Sequence, residues 1–184
     1  MKSLFIKEIN AFFGSLLGYL ILALFLVAIG LIVWVFPETS VLEYGYADLE
    51  PLFTYTPYVF TFLIPALSMR AIAEEKRNQT WELLRTAPLS LTQIIIAKYL
   101  ALLCLIILAG VPALLYYISI VQLGDPIGNL YQAGFFGSWI GLLMIGAVFG
   151  AVGIFASALT SQQVVAFVLG VFLCFLIYFG FTAI

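Results

Sequence analysis

Long apolar runs alternate with short polar breaks along most of the chain. No charged side chain occurs from Ile9 to Pro37, Pro51 to Met69, Tyr99 to Gly124, or Pro126 to Ile184. A spanning helix takes about 20 apolar residues. As one helix the last run would be about 90 Å long at about 1.5 Å per residue. Polar Thr160-Ser161-Gln162-Gln163 therefore reads as a break within it. The pattern predicts five spanning helices, over 14–36, 54–73, 92–120, 135–158 and 164–183. Upstream, Leu4, Phe5, Ile9, Phe12 and Phe13 fall mostly on one helical side, away from Lys2, Lys7 and Asn10. That spacing predicts a short interfacial helix within residues 1–13. The alternative is a simple extension of the first span. The apolar run outlasts the core of a signal peptide, so the segment reads as an uncleaved anchor.

Composition turns this pattern into a membrane assignment. Of 184 residues, 65% are hydrophobic and 9% charged, and mean hydropathy is +1.20. Soluble domains carry about 25% charged residues, so this chain lacks the polar surface to coat a water-soluble globule. The expected fold is an all-α polytopic membrane bundle forming a single domain over 1–184. A formal net charge of −2, with no basic face, excludes a nucleic-acid binder.

The few charges are sorted by side. Lys2 and Lys7 precede the first span, and Arg70, Lys76, Arg77, Arg85 and Lys98 lie around the segment between the second and third. The loop after span one carries Glu38, Glu43, Asp48 and Glu50, and the loop after span three carries Asp125, with no basic residue in either. The positive-inside rule places the N-terminus and the 70–98 segment in the cytoplasm. Trp34, Phe36, Tyr44, Tyr46, Tyr55, Tyr58 and Trp139 fit an outer interfacial belt, with ordinary packing as the alternative.

Candidate chemistry is mostly removed by what is missing. The chain has no histidine, which excludes His-based zinc sites and Ser-His or Cys-His catalysis. Asp48 and Asp125 lie outside the apolar runs, so there is no intramembrane aspartate dyad. No G-x-x-x-x-G-K-[ST] loop is present to bind ATP. Cys104 and Cys174 sit within apolar runs and read as small packing residues. The spans lack mid-membrane ionisable groups and inverted repeats, which argues against an ion-driven carrier.

What remains distinctive is the segment 74–90. Arg70 and Glu74 are spaced i,i+4 and Glu74 and Arg77 i,i+3, so span two is expected to continue as a solvated helix. Asn78-Gln79 then breaks it. Thr80 is a candidate N-cap for a short helix over Trp81–Arg85, Pro88 stops that helix, and Ser90-Leu-Thr-Gln93 forms a capping box for span three. Trp81, Leu83 and Leu84 would face a partner protein from this turn. Alternatively, Trp81 packs back on the membrane interface.

Glu74-Glu75-Lys76-Arg77-x-x-Thr80-x-Glu82-Leu83-Leu84-x-Thr86-Ala87-Pro88, followed by Ala97-Lys98, resembles the signature of ABC-2-type transporter permease subunits. Within them the chain is similar to the gliding-motility-associated permease (F) subunits of Bacteroidetes. The basic start, the Trp34-Val-Phe-Pro37 exit, the stretch Gln122–Asn129 and the run Gln163–Phe181 carry that narrower resemblance. The family usually has Gly-Thr at the break, where this chain has Gln79-Thr80. The resemblance implies a bacterial inner-membrane subunit that pairs with a second permease, as a homodimer or heterodimer, and rests on a cytoplasmic ATPase encoded separately. ATP and Mg would be bound by that ATPase, with no cofactor in this chain. Glu74, Glu75, Lys76, Arg77, Thr80, Trp81, Glu82, Leu83 and Leu84 would be the coupling residues, and the subunit itself would be non-catalytic. Export or mechanotransmission linked to gliding motility is the implied function; a non-ATP-driven scaffold or channel subunit is the alternative.

Three further expectations follow. Pro65 and Pro112 lie inside spans two and three and are expected to kink them. Gly137/Gly141 and Gly146/Gly150 are G-x-x-x-G pairs, read first as intrachain contacts, with a dimer seam as the alternative. The family has six spans, so the natural protein is expected to continue through a loop and one more helix.

Overall fold

The computed structural model describes residues 2–37, 39–41, 49–86, 89–123 and 132–182. Within them the chain forms α1 (Lys2–Phe13), α2 (Leu16–Trp34), α3 (Glu50–Ser68), α4 (Ala73–Arg77), α5 (Thr80–Thr86), α6 (Leu91–Leu123), α7 (Gln132–Leu159) and α8 (Gln163–Thr182). Five helical segments are long and apolar enough to cross a membrane, and no strand occurs among the described residues. Each of the five expected spans has its helix; four have ends within three residues of the expectation, and the second begins four residues earlier and ends five residues earlier, at Ser68.

The first helix is separate from the first span. Gly14 and Ser15 turn the chain, and Ser15 takes an extended backbone conformation before α2. Gly18 lets the two helices close on each other, because a side-chain carbon there would meet the Phe12 carbonyl oxygen at 2.6 Å. α1 does not lie apart on the bundle surface. It packs along the first turns of α6, where Leu4 is buried with Ile94 and Ala97.

α3 is the central helix and touches α2, α6, α7 and α8. Its Phe60 and Ile64 are fully buried, beside Phe25 of α2, Ile106 of α6 and Phe149 of α7. Pro57 and Pro65 both lie inside α3, and Pro112 lies inside α6. Each removes one backbone donor, yet both helices continue through these positions without a break. Thr56, Thr61 and Ser68 donate their hydroxyls to the Leu52, Tyr58 and Pro65 carbonyls of the same helix, which satisfies these polar side chains within the bundle.

At the end of the bundle away from α4 and α5, aromatic rings pack on one another. Trp34 meets Tyr116 edge-on at 5.9 Å, Tyr117 lies 4.4 Å from Phe135, and Tyr58 meets Tyr178 at 5.5 Å. Glu38, Glu43, Asp48, Tyr44, Tyr46 and Asp125 lie outside the described residues, as do Ala87 and Pro88.

Candidate docking and coupling site

The segment 69–86 is built onto the bundle from several sides. The sequence suggests that span two runs on through Arg77 as one helix. Instead α3 ends at Ser68, and Met69 to Ile72 form turns before α4 begins. The reason is a side chain from a distant helix. The buried Ser157 hydroxyl of α7 accepts the backbone N–H groups of Ile72 and Ala73, each at 3.0 Å, and donates to the Met69 carbonyl at 3.0 Å. Ile72 has no side-chain oxygen with which to cap α4, so Ser157 supplies the acceptor that helix starts require. Gly153, one turn earlier, makes the approach possible. A side-chain carbon there would fall on the Ser68 side chain, 2.9 Å from its Cβ. Lys76 donates to the Ala158 carbonyl at the end of α7. α4 is thereby joined to α7 at both of its ends.

A four-charge network joins α4 to α1 and α6. Lys98 Nζ lies 2.8 Å from Glu8 Oε1 and 3.0 Å from Glu75 Oε1, and only 1% of its side chain is exposed. Lys7 Nζ lies 3.1 Å from the same Glu75 oxygen and 3.9 Å from Glu8. Two cations and two anions compensate one another around the buried Lys98 and Glu75, the arrangement that makes buried charge tolerable, while Lys7 at the rim keeps 58% of its side chain exposed. Nearby, Arg70 donates to Ser15 Oγ at 3.0 Å and forms the expected i,i+4 pair with Glu74 at 4.0 Å.

The break between α4 and α5 falls where the sequence places it. Gln79 adopts φ +58, the left-handed conformation that glycine takes without cost and other residues at about 1–2 kcal/mol. The sharp turn is kept without glycine. Thr80 is the first helical residue of α5, and its hydroxyl donates to the Glu75 carbonyl at 3.3 Å, tying α5 back to α4. The capping box at α6 is complete: the Gln93 N–H donates to Ser90 Oγ at 3.3 Å and the Ser90 N–H to Gln93 Oε1 at 3.2 Å.

Trp81 does not stand out as an exposed anchor. It is half-buried, packed against both the central core and the cluster of Leu4, Ile94 and Ala97, and Leu84 joins it on that cluster. The outward face of α5 is instead Glu82, Leu83 and Thr86, with Leu83 71% exposed. Of the remaining candidate residues, Glu75 is buried, Glu74 and Lys76 are half-buried, and Arg77 and Thr80 are exposed.

The glycines of α7 divide into two sets. Side-chain carbons at Gly146 and Gly150 would meet Ile106 at 2.8 Å and Leu102 at 3.3 Å, so this pair packs against α6 within the chain. A side-chain carbon at Gly137 or Gly141 would have no neighbour within 4 Å among the described residues.

Ser157, Glu8 and the Arg70–Ser15 bond were not singled out by the sequence, and Lys7 and Lys98 stood out there as positive charges and, for Lys98, as part of the signature, not as members of a network. One signal was available for Lys98, a charge eight residues into an apolar helix. Such a residue needs a partner of opposite sign, and few acidic residues lie on its side of the bundle. Ser157 had no comparable signal, since serine in a membrane helix ordinarily bonds its own backbone.

A family model described as ABC-2 family transporter protein matches residues 37–184, from just past the end of α2 through the end of the chain. No curated protein and no solved structure matches the chain.

Proposed function

This chain belongs to the ABC-2 transporter family, and we propose that it is a permease subunit whose α4–α5 segment receives the motion of a separate cytoplasmic ATPase. The single observation that carries this reading is the build of that segment. α5 turns one apolar residue, Leu83, outward and is held behind by Trp81 and Leu84 on α1 and α6. α4 is fixed to α7 by Ser157 and Lys76 and to α1 and α6 by Glu75. A push on α5 therefore reaches α1 and α6 through Trp81 and Leu84, and α4 through Thr80, from which polar contacts lead on to α7, α1 and α6.

Rigidity is what coupling requires. Shifting a two-state equilibrium from 1:99 to 99:1 takes about 5.5 kcal/mol of differential binding, and a loosely tethered loop would dissipate such a bias. The positive charges cluster at this end, which is the proposed cytoplasmic side, with the N-terminus on the same side. In this reading ATP and Mg stay on the ATPase, pairing with a second permease completes the translocation unit, and the membrane is the bacterial inner membrane. The narrower resemblance to gliding-motility permeases supports a role in that machinery, either as exporter or as transmitter of mechanical work.

The test uses this chain and its partner ABC ATPase subunit, co-expressed and purified together. Leu83→Asp and Glu82→Lys should weaken their association at least tenfold while leaving membrane insertion and melting temperature unchanged. Retention of full association by both variants would remove α5 from the interface.

A further inference from the structure

A cavity of about 400 Å³ opens at the charged end between α1, the start of α2, the end of α3, α4 and α6. Its wall changes character with depth. Leu17 and Ile21 of α2 and Leu102 and Leu105 of α6 form an apolar part. On α6 this part begins one turn beyond Lys98, toward the middle of the bundle. The other part is charged and includes the four-charge network together with Arg70 and Glu74. Polarity thus falls along the membrane normal within one pocket, as it does along a phospholipid.

The charged part is not uniformly committed. Lys7, Lys98, Glu8 and Glu75 engage one another at 2.8–3.1 Å, Glu75 through Oε1 alone, its buried Oε2 having no hydrogen-bond partner among the described residues. Arg70 is engaged less fully. Its guanidinium carries five N–H donors, of which one bonds Ser15, while Nε is buried without a hydrogen-bond partner and lies 4.0 Å from Glu74. Glu74 beside it keeps 42% of its side chain exposed. A planar donor with spare N–H groups suits a phosphodiester, and an adjacent half-exposed carboxylate suits an amine.

We propose that this cavity binds one phospholipid with an amine-bearing zwitterionic headgroup. Its phosphate sits on Arg70, its ammonium on Glu74, and its first acyl carbons lie along Leu17, Ile21, Leu102 and Leu105. The volume falls in the range of small-ligand pockets and takes the headgroup and glycerol end. The chains leave past α2, where Leu16 is 83% and Leu20 56% exposed. The lipid would wedge α1 against α3, where the Arg70–Ser15 bond already joins the two corners.

The full chain, purified in mild detergent and stripped of lipid, is titrated with phosphatidylethanolamine, phosphatidylcholine or phosphatidylglycerol in mixed micelles. Bound lipid is counted by native mass spectrometry. One phosphatidylethanolamine should bind per chain, at least tenfold more tightly than the other two lipids. Arg70→Gln should weaken all lipid binding at least tenfold. Glu74→Gln, at a half-exposed position that does not threaten folding, should abolish the preference for the primary amine while retaining binding. A parallel arm uses inorganic phosphate alone, which should neither bind measurably nor displace the lipid. Unchanged lipid binding in Arg70→Gln, an unchanged headgroup preference in Glu74→Gln, or displacement by inorganic phosphate would overturn the proposal.

Discussion

Replacing Lys98 by methionine removes one charge and keeps nearly the same shape. Its ammonium is the group through which Glu8 of α1 and Glu75 of α4 are held to α6, at 2.8 and 3.0 Å. With 1% of the side chain exposed, water cannot take its place. The neutral set of four charges becomes a set with one negative charge in excess, and Glu8 keeps only a 3.9 Å contact with Lys7. Removing one partner from a buried ion pair costs about 3–5 kcal/mol. For a domain of this size each kcal/mol moves the melting temperature by about 2–4 °C, so the loss should be about 6–20 °C. Lys7→Met is the internal control. Lys7 also touches Glu75, but its side chain is 58% exposed, and exposed pairs contribute about 0–1 kcal/mol. The double variant Lys98→Met/Glu8→Gln removes one charge of each sign and should recover much of the loss, because neutral replacements of buried pairs are tolerated. The assay is thermal unfolding of the purified chain in detergent by circular dichroism. If Lys98→Met melts within about 2 °C of wild type, or no lower than Lys7→Met, the network does not hold the segment.

Other expectations follow from the same geometry. Gly153→Ala and Gly146→Ala place a methyl against Ser68 and Ile106 and should each destabilise by about 1–3 kcal/mol, read as lower melting temperatures. Gly137→Ala meets no neighbour within 4 Å among the described residues and should leave the isolated subunit unaffected, so a loss of pairing with a second permease in that variant would place the seam there. Gln79→Gly relieves the left-handed backbone at φ +58 and should be neutral to about 1 kcal/mol stabilising; a clear destabilisation by urea titration would show that the turn is not strained. For orientation, cysteine at Asn78 should resist an impermeant thiol reagent in intact cells, while cysteine at Phe36, exposed at the opposite end, should react.

The spans were legible because apolar runs and polar breaks dictate membrane helices almost by themselves. The separate first helix, the break at Asn78-Gln79 and the Ser90 box were legible too, because each is written in neighbouring residues. What escaped came from residues far apart in the chain. Ser157 interrupts the continuation of α3 across a separation of 85 residues, and nothing near Met69–Ile72 announces it. Local i,i+4 spacing favoured one long helix, and tertiary capping overrode it. Trp81 escaped for a related reason: an amphipathic turn shows which residues are apolar, but not that α1 returns to cover one of them. The two glycine pairs look alike in sequence and differ in what stands opposite, Ile106 and Leu102 for one and, among the described residues, no atom within 4 Å for the other.

A photo-crosslinking side chain placed at Leu83 tests the central claim most directly. It would be introduced in the full chain, in its native membrane, with one at Phe136 near the other end of the bundle as comparison. Irradiation should join position 83 to a nucleotide-binding ATPase subunit, identified by mass spectrometry, while position 136 gives no such adduct. An ATPase adduct at 136 and none at 83 would contradict that claim.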